Sequence, residues 1–137
     1  MRRSKKSVLK ELRQIAKEME LRCHFSAQLA GGLFVDSNRI VVGTKTNNLT
    51  ELISCFFHEA GHAWCFKNKK YMAYHGSKYP RSRKEKADYR RVALRAELYA
   101  DNIGCMLCRA YFPHIKYRFA YREEWQRFLL KALLLNL

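Results

Sequence analysis

Two histidines four residues apart, inside a run of apolar residues, constrain this chain more than any other feature. The run covers residues 52–67, LISCFFHEAGHAWCFK, and the pair is His58 and His62. On an α-helix, residues four apart lie on nearly the same side, so the two imidazoles face the same way, one turn apart. This is the spacing that a single Zn²⁺ ion needs. Glu59 lies beside them, where its carboxylate can reach a water on the metal rather than the metal itself.

A catalytic zinc ion takes three protein ligands and leaves one position open to water, so a third ligand is needed. Glu97 is the preferred candidate, because it lies in a helical stretch of small residues with Asp101 one turn further along. A carboxylate that accepts the second ring N–H of a ligand histidine fixes the tautomer of that histidine. We expect Asp101 to do this for His58. His75 is the competing third ligand.

The charge balance of the chain is strongly basic. With 27 Lys and Arg against 12 Asp and Glu, the 137 residues carry a formal net charge of +15. Such a surface favours nucleic acid, an anionic membrane surface or an acidic protein as partner, and charge alone does not choose among them. An apolar content of 48% indicates a globular protein and argues against a disordered chain.

The sequence predicts a cytoplasmic protein without a transmembrane segment. No segment has the pattern of a secretory signal, and no apolar run approaches the ~20 residues of a membrane-spanning helix. The five cysteines are odd in number and lie mostly in apolar segments, which predicts reduced, buried thiols rather than disulfides. Cys105 and Cys108 form a CxxC pair without a second pair, and core packing is the preferred interpretation.

Hydrophobic periodicity predicts the elements of the first half of the chain. An amphipathic helix over residues 4–21 precedes a small antiparallel sheet that contains a hairpin turning at residues 36–38. The last strand of this sheet, Arg39–Gly43, is a candidate edge to which an extended peptide could add. Asn48 is placed to cap the histidine helix, which runs from Leu49 to about Lys67.

The second half of the chain is predicted to be mainly helical. Residues 68–84 form a loop in which tyrosines alternate with basic residues, a mixture suited to nucleic acid, although a solvated basic loop is the commoner explanation. A long helix then carries Glu97 and ends before Pro113. Residues 121–137 form a C-terminal packing helix. The predicted fold is a single α+β domain over residues 1–137.

The segment His58-Glu59-Ala60-Gly61-His62, followed by Glu97-Leu-Tyr-Ala-Asp101-Asn-Ile-Gly104, resembles the gluzincin metallopeptidases. These combine an HExxH motif with a glutamate helix of the form ExxAD. The match is nearest to the minigluzincins and the CAAX-prenyl-protease type, and it is similar in outline to the thermolysin and ImmA/IrrE types. The resemblance implies a zincin domain with an N-terminal helix, a small sheet, an active-site helix, a glutamate helix and a C-terminal helix.

By position, the resemblance implies His58, His62 and Glu97 as zinc ligands. It implies Glu59 as the general base and acid, and Asp101 as the residue that orients His58. The activity implied is that of a zinc-dependent endopeptidase that hydrolyses a protein or peptide substrate with a metal-activated water.

The chain departs from the gluzincin pattern in two respects. The membrane spans of the CAAX-protease type are absent, so the substrates of that type do not transfer. Larger relatives also supply a His or Tyr that stabilises the transition state, and here Tyr99, His114 and Tyr117 are unassigned candidates for that role.

Two other interpretations stay open. One is a SprT-type protease associated with DNA, in which His75 would be the third ligand. Trp64, two residues after the second motif histidine, and the pair His75-Gly76 resemble that type. The other is a non-catalytic, zinc-stabilised module whose basic surface binds nucleic acid or an acidic partner.

Overall fold

The computed structural model describes residues 3–36, 38–70, 83–120 and 127, with residues 83–89 described in the backbone only. Three helices and a three-stranded sheet make up the predicted α+β fold. In chain order the elements are α1 (Lys5–Glu18), β1 (Arg22–Ser26), β2 (Gly32–Asp36), β3 (Arg39–Gly43), α2 (Leu49–Lys67) and α3 (Arg83–Tyr111).

Helix α1 begins after Ser4, whose hydroxyl oxygen accepts a hydrogen bond from the backbone N–H of Ser7 at 3.1 Å. The sequence predicted a helix over residues 4–21, but α1 ends at Glu18. Glu20 has a positive φ of 57°, a left-handed conformation that an α-helix cannot continue through. The apolar stripe of α1 is buried in the common core: Val8, Leu12, Ile15 and Ala16.

The sheet was predicted to be antiparallel, but it is mixed. β3 pairs in parallel with β1 and antiparallel with β2, so the strand order is β1-β3-β2. The predicted edge strand β3 is therefore the central strand, and Ile40 and Val42 on it are at most 1% exposed. Alternation along a strand indicates which face is buried, but not which strand lies beside it. The edge strands are β1 and β2, and the predicted hairpin between β2 and β3 is confirmed.

Helix α2 has the predicted bounds and lies at the centre of the fold. The side chain of Asn48 accepts a hydrogen bond from the backbone N–H of Glu51 at 3.0 Å, which caps the helix. Twelve of its 19 residues are buried, since α2 packs against α1, β2, β3 and α3. The histidine pair therefore lies on a helix that is enclosed by four of the other described elements.

Helices α2 and α3 approach each other through two glycines. A Cβ atom on Gly61 of α2 would lie 2.9 Å from the carbonyl carbon of Ala100 on α3. A Cβ atom on Gly104 of α3 would lie 2.6 Å from the carbonyl oxygen of Phe57 on α2. Both positions meet backbone that cannot rotate away, so this close approach depends on the absence of a side chain.

After α3, residues 112–120 fold back over α2 and α3, and we call them the return segment. Helix α3 ends at Tyr111, before Pro113, as predicted. Tyr117 of the return segment is buried, and the backbone N–H of Arg118 donates to the hydroxyl oxygen of Ser54 on α2 at 2.9 Å. The segment is therefore fixed to α2 by polar contacts as well as by packing.

All five cysteines are free thiols, as predicted. Cys65, Cys105 and Cys108 are buried, and burial raises the pKa of Cys108 to about 11. The predicted C-terminal helix, residues 121–137, lies outside the described residues apart from residue 127, as do residues 71–82 of the predicted basic loop. Within the described ranges, no helix combines the length and the apolar content that crossing a lipid bilayer requires.

Candidate metal centre

Helix α2 brings the two motif histidines together on its buried side. His58 is 6% exposed and His62 is 3% exposed. Their rings stand nearly perpendicular, with centroids 4.7 Å apart, and their Nε2 atoms are 3.1 Å apart. The spacing of four residues therefore has the predicted result, since both imidazoles direct the same nitrogen to one point.

Glu97 on α3 completes the group. Its Oε2 atom lies 2.9 Å from Nε2 of His58 and 2.8 Å from Nε2 of His62. We call these three atoms the donor triangle. In a tetrahedral site with metal–ligand distances of about 2.0–2.2 Å, neighbouring ligand atoms lie about 3.3–3.6 Å apart, so the triangle is smaller than required by less than about 1 Å. His58, His62 and Glu97 could together hold a metal ion.

The hydrogen bonds of His58 are also consistent with a cation bound at the donor triangle. Nδ1 of His58 lies 2.9 Å from Oδ1 of Asp101, and its Nε2 faces Glu97, whereas a neutral imidazole has one N–H. Burial lowers the pKa of His58, but the hydrogen bonds to Asp101 and Glu97 outweigh burial and raise the pKa to about 10. A second proton thus compensates the two carboxylates in the metal-free protein. A metal cation would replace that proton while Nδ1–H stays on Asp101.

Asp101 is 1% exposed and is surrounded by donors. The hydroxyl of Tyr117 donates to Oδ1 at 2.6 Å, and the backbone N–H of Ala120 donates to Oδ2 at 2.8 Å. Burial and the charge of Asp101 raise the pKa of Tyr117, which keeps the phenol protonated as a donor. The return segment therefore fixes the carboxylate that orients Nδ1 of His58.

Glu59 is buried beside the histidines, at 6% exposure. Burial raises the pKa of its carboxyl above the ordinary value, against the lowering effect of His58 and His62. The backbone of β2 lies directly against its side chain. A Cβ atom on Gly32 would be 2.6 Å from Cγ of Glu59, so this strand can pass so close only with glycine here.

The three candidates for transition-state stabilisation lie in different places. Tyr99 on α3 is half-buried, and its ring is stacked on that of Trp64 with centroids 6.3 Å apart. His114 is exposed in the return segment. Tyr117 contacts Asp101 on the Nδ1 side of His58, whereas the donor triangle is on the Nε2 side. His75, the competing third ligand, lies outside the described residues.

Three contacts of this centre were not predicted from the sequence. Phe34 of β2 packs against His62, with ring centroids 6.0 Å apart. Gly32 allows β2 to pass close to Glu59, and the backbone N–H of Ala120 donates a hydrogen bond to Asp101. The Gly31-Gly32 pair was a sequence signal for a close approach of the backbone, but the sequence contains no signal for Ala120, because every residue except proline has an N–H.

Comparisons with protein families, curated proteins and solved structures gave no match to this chain. The functional conclusion therefore rests on the residues and their geometry.

Proposed function

We propose that this protein is a zinc-dependent endopeptidase that hydrolyses peptide bonds of a protein substrate. The observation that carries the proposal is the donor triangle, in which Nε2 of His58, Nε2 of His62 and Oε2 of Glu97 lie within 3.1 Å of one another. Two helices far apart in sequence supply it, and the acid Glu59 follows directly after the first ligand.

The donor set favours zinc among the common cations. Two imidazoles and one carboxylate are a ligand combination typical of catalytic zinc, whereas Ca²⁺ and Mg²⁺ are bound mainly through oxygen. Three protein ligands leave a position for water or substrate. Bound zinc supplies Lewis acidity, which polarises a peptide carbonyl and makes a water molecule acidic enough to react near neutral pH.

The residues of the chain have separate roles in this proposal. Glu59 takes a proton from the attacking water and returns it to the leaving amine, and its raised pKa suits a group that must both accept and release a proton. Asp101 holds the proton on Nδ1 of His58, so that the lone pair of Nε2 stays directed into the donor triangle.

The free edge of β2 is the proposed site for the substrate backbone. β2 is hydrogen-bonded to β3 on one side, and within the described chain no strand pairs with its other side. An extended peptide can add to such an edge through main-chain hydrogen bonds. Gly32 of this strand lies against Glu59 and Phe34 lies against His62, so a peptide bound here would pass close to both. The role predicted for the edge of the sheet therefore moves from β3 to β2.

The decisive experiment compares Glu59→Gln with Glu51→Gln, a matched change on the same helix at a half-buried position. Each zinc-loaded protein is incubated with a diverse peptide library, with and without chelator, and its zinc content is measured by elemental analysis. We expect Glu59→Gln to keep one zinc ion and to lose about 10²–10⁴-fold in cleavage rate, the usual contribution of a general acid and base. Glu51→Gln should cleave as the wild type does.

Undiminished cleavage by Glu59→Gln would refute the proposed catalytic role. Zinc binding without chelator-sensitive cleavage by the wild type would favour the non-catalytic module instead. The third ligand is tested separately by measuring zinc in Glu97→Ala and in His75→Ala. Loss of zinc in His75→Ala alone would replace Glu97 as ligand and favour the SprT-type alternative.

A further inference from the structure

The outward face of α1 carries a straight row of cations, which we call the basic stripe: Lys6, Lys10, Arg13 and Lys17. All four side chains are exposed, and their separations of four, three and four residues keep them on one side of the helix. The buried stripe of α1 lies on the opposite side. From Lys6 to Lys17 the helix rises about 16.5 Å, at 1.5 Å per residue.

This arrangement destabilises the helix that carries it. Each neighbouring pair along the stripe has like charges three or four residues apart, and such a pair costs about 0.2–0.5 kcal/mol. The first turn of α1 contains no acidic residue, although acids are favoured there by the helix dipole. Within the described part of the chain, none of the three lysines of the stripe forms an ion pair. An external polyanion would compensate these charges.

We propose that the basic stripe binds the sugar–phosphate backbone of double-stranded nucleic acid, independently of base sequence. A rigid helix holds the cations in a fixed straight row, and a duplex holds its phosphates in fixed positions. Arg13 is further restrained, because its guanidinium carbon lies 5.0 Å from the centroid of the Phe25 ring. This binding goes beyond the proposed peptidase activity and does not depend on it.

Two other polyanions fit the stripe less well. Single-stranded nucleic acid is usually held by bases stacked on aromatic rings, and no exposed residue of α1 is aromatic. A membrane-surface helix inserts apolar side chains between lipids, but every exposed residue of α1 is polar or charged and its apolar side is in the core. Pure phosphate contact on a duplex requires neither feature.

The test compares two triple variants of the full chain. The stripe variant is Lys6→Gln with Lys10→Gln and Lys17→Gln. The control variant is Arg91→Gln with Arg95→Gln and Arg109→Gln, which replaces three exposed cations of α3. Each variant lowers the formal charge of +15 by three, and glutamine is a good helix former. Binding to a short mixed-sequence DNA duplex is measured by fluorescence anisotropy over a series of salt concentrations.

We expect the stripe variant to bind the duplex at least about tenfold more weakly, with a slope of log K against log salt that is shallower by about 2.7, or 0.9 per lost contact. The control variant should change affinity by less than about threefold, because its cations lie on another helix. Equal losses in both variants would overturn the proposal, since net charge alone would then explain binding.

Two further measurements test the proposal. Thermal unfolding should show the stripe variant at least as stable as the wild type, because three like-charge pairs are removed. A lower Tm would contradict the charge argument on which the proposal rests. Binding to vesicles of phosphatidylcholine and phosphatidylserine is the second measurement, and a stripe variant that lost vesicle binding but kept duplex binding would overturn the assignment to nucleic acid.

Discussion

Replacing Gly61 by alanine adds one methyl group where α2 and α3 touch. The new Cβ atom would overlap the carbonyl oxygen of Ala100, and it would lie 2.9 Å from the carbonyl carbon of Ala100 and 3.2 Å from the backbone nitrogen of Gly104. Ordinary contacts of a Cβ atom begin at 3.4 Å, so relief of the overlap with the carbonyl oxygen requires the helices to separate by more than about 1 Å. Alanine gains about 1 kcal/mol over glycine in a helix, and overpacking costs about 1–3 kcal/mol.

Because Gly61 lies between two of the candidate ligands, the same separation of the helices would also move those ligands relative to Glu97. Gly61 lies between His58 and His62 in sequence, while Glu97 comes from the opposite helix. The donor triangle must widen by less than about 1 Å to hold an ion, whereas the added methyl group requires the helices to separate by more than about 1 Å. The excess is larger than the tolerance of about 0.2 Å on ligand distances in a metal site. We therefore expect Gly61→Ala to weaken zinc binding at least about tenfold, even where the net loss of stability is only about 0–2 kcal/mol.

Zinc affinity is measured by competition with a chromophoric chelator, and stability by thermal unfolding of the metal-free protein. Lys67→Ala is the control, because Lys67 is exposed in the last turn of the same helix. Its effect should stay within about 0.5 kcal/mol, with unchanged zinc affinity. A Gly61→Ala protein with the zinc affinity of the wild type would refute the inference that backbone contact between α2 and α3 sets the spacing of the ligands.

Three further predictions concern His58 and the residues behind it. Asp101→Asn places an amide NH₂ among hydrogen-bond donors and should lower zinc affinity about 10–100-fold. Asn102→Ala, at an exposed position of the same helix, should leave zinc affinity unchanged. Equal zinc affinities of the two variants would refute the orienting role of Asp101. Tyr117→Phe removes only the hydroxyl that donates to Asp101, so the free energy of unfolding should fall by about 1–2 kcal/mol. Zinc affinity should fall by less than it does in Asp101→Asn. Unchanged stability in thermal unfolding would contradict a stabilising hydrogen bond between Tyr117 and Asp101. Because the pKa of His58 rises from 6.5 to about 10 on folding, its contribution to the stability of the metal-free protein is complete below pH 6.5 and is lost as the pH rises through about 10. Zinc binding at neutral pH should release about one proton, detectable by calorimetry in buffers of different ionisation enthalpy, and a heat independent of the buffer would contradict the raised pKa.

The features that the sequence predicted correctly are those with local causes. Asn48 caps α2 three residues before Glu51, and an apolar run without glycine or proline in its first turns carries the helix onward to Lys67. The spacing of His58 and His62 fixes their common direction once that helix forms. Pro113 limits α3, because proline cannot continue a helix that approaches it.

The features that the sequence did not reveal depend on which distant segments meet. The placement of β3 between β1 and β2 is one of these, since all three strands have five residues with apolar residues at the second and fourth positions. The contact of Tyr117 with Asp101 spans 16 residues and follows from the path of the return segment. A tyrosine in a loop has several potential partners in a sequence, and only the fold selects one of them.

The return segment also has a consequence for how the protein matures. Asp101 receives two of its hydrogen bonds from Tyr117 and Ala120, which are translated after the two helices that carry the donor triangle. A nascent chain on the ribosome can therefore form α2 and α3 before the carboxylate behind His58 is held in place. For the proposed zinc centre, high-affinity metal loading would then be a late event in biosynthesis, and the proposed peptidase would stay inactive until this part of the polypeptide has been synthesised.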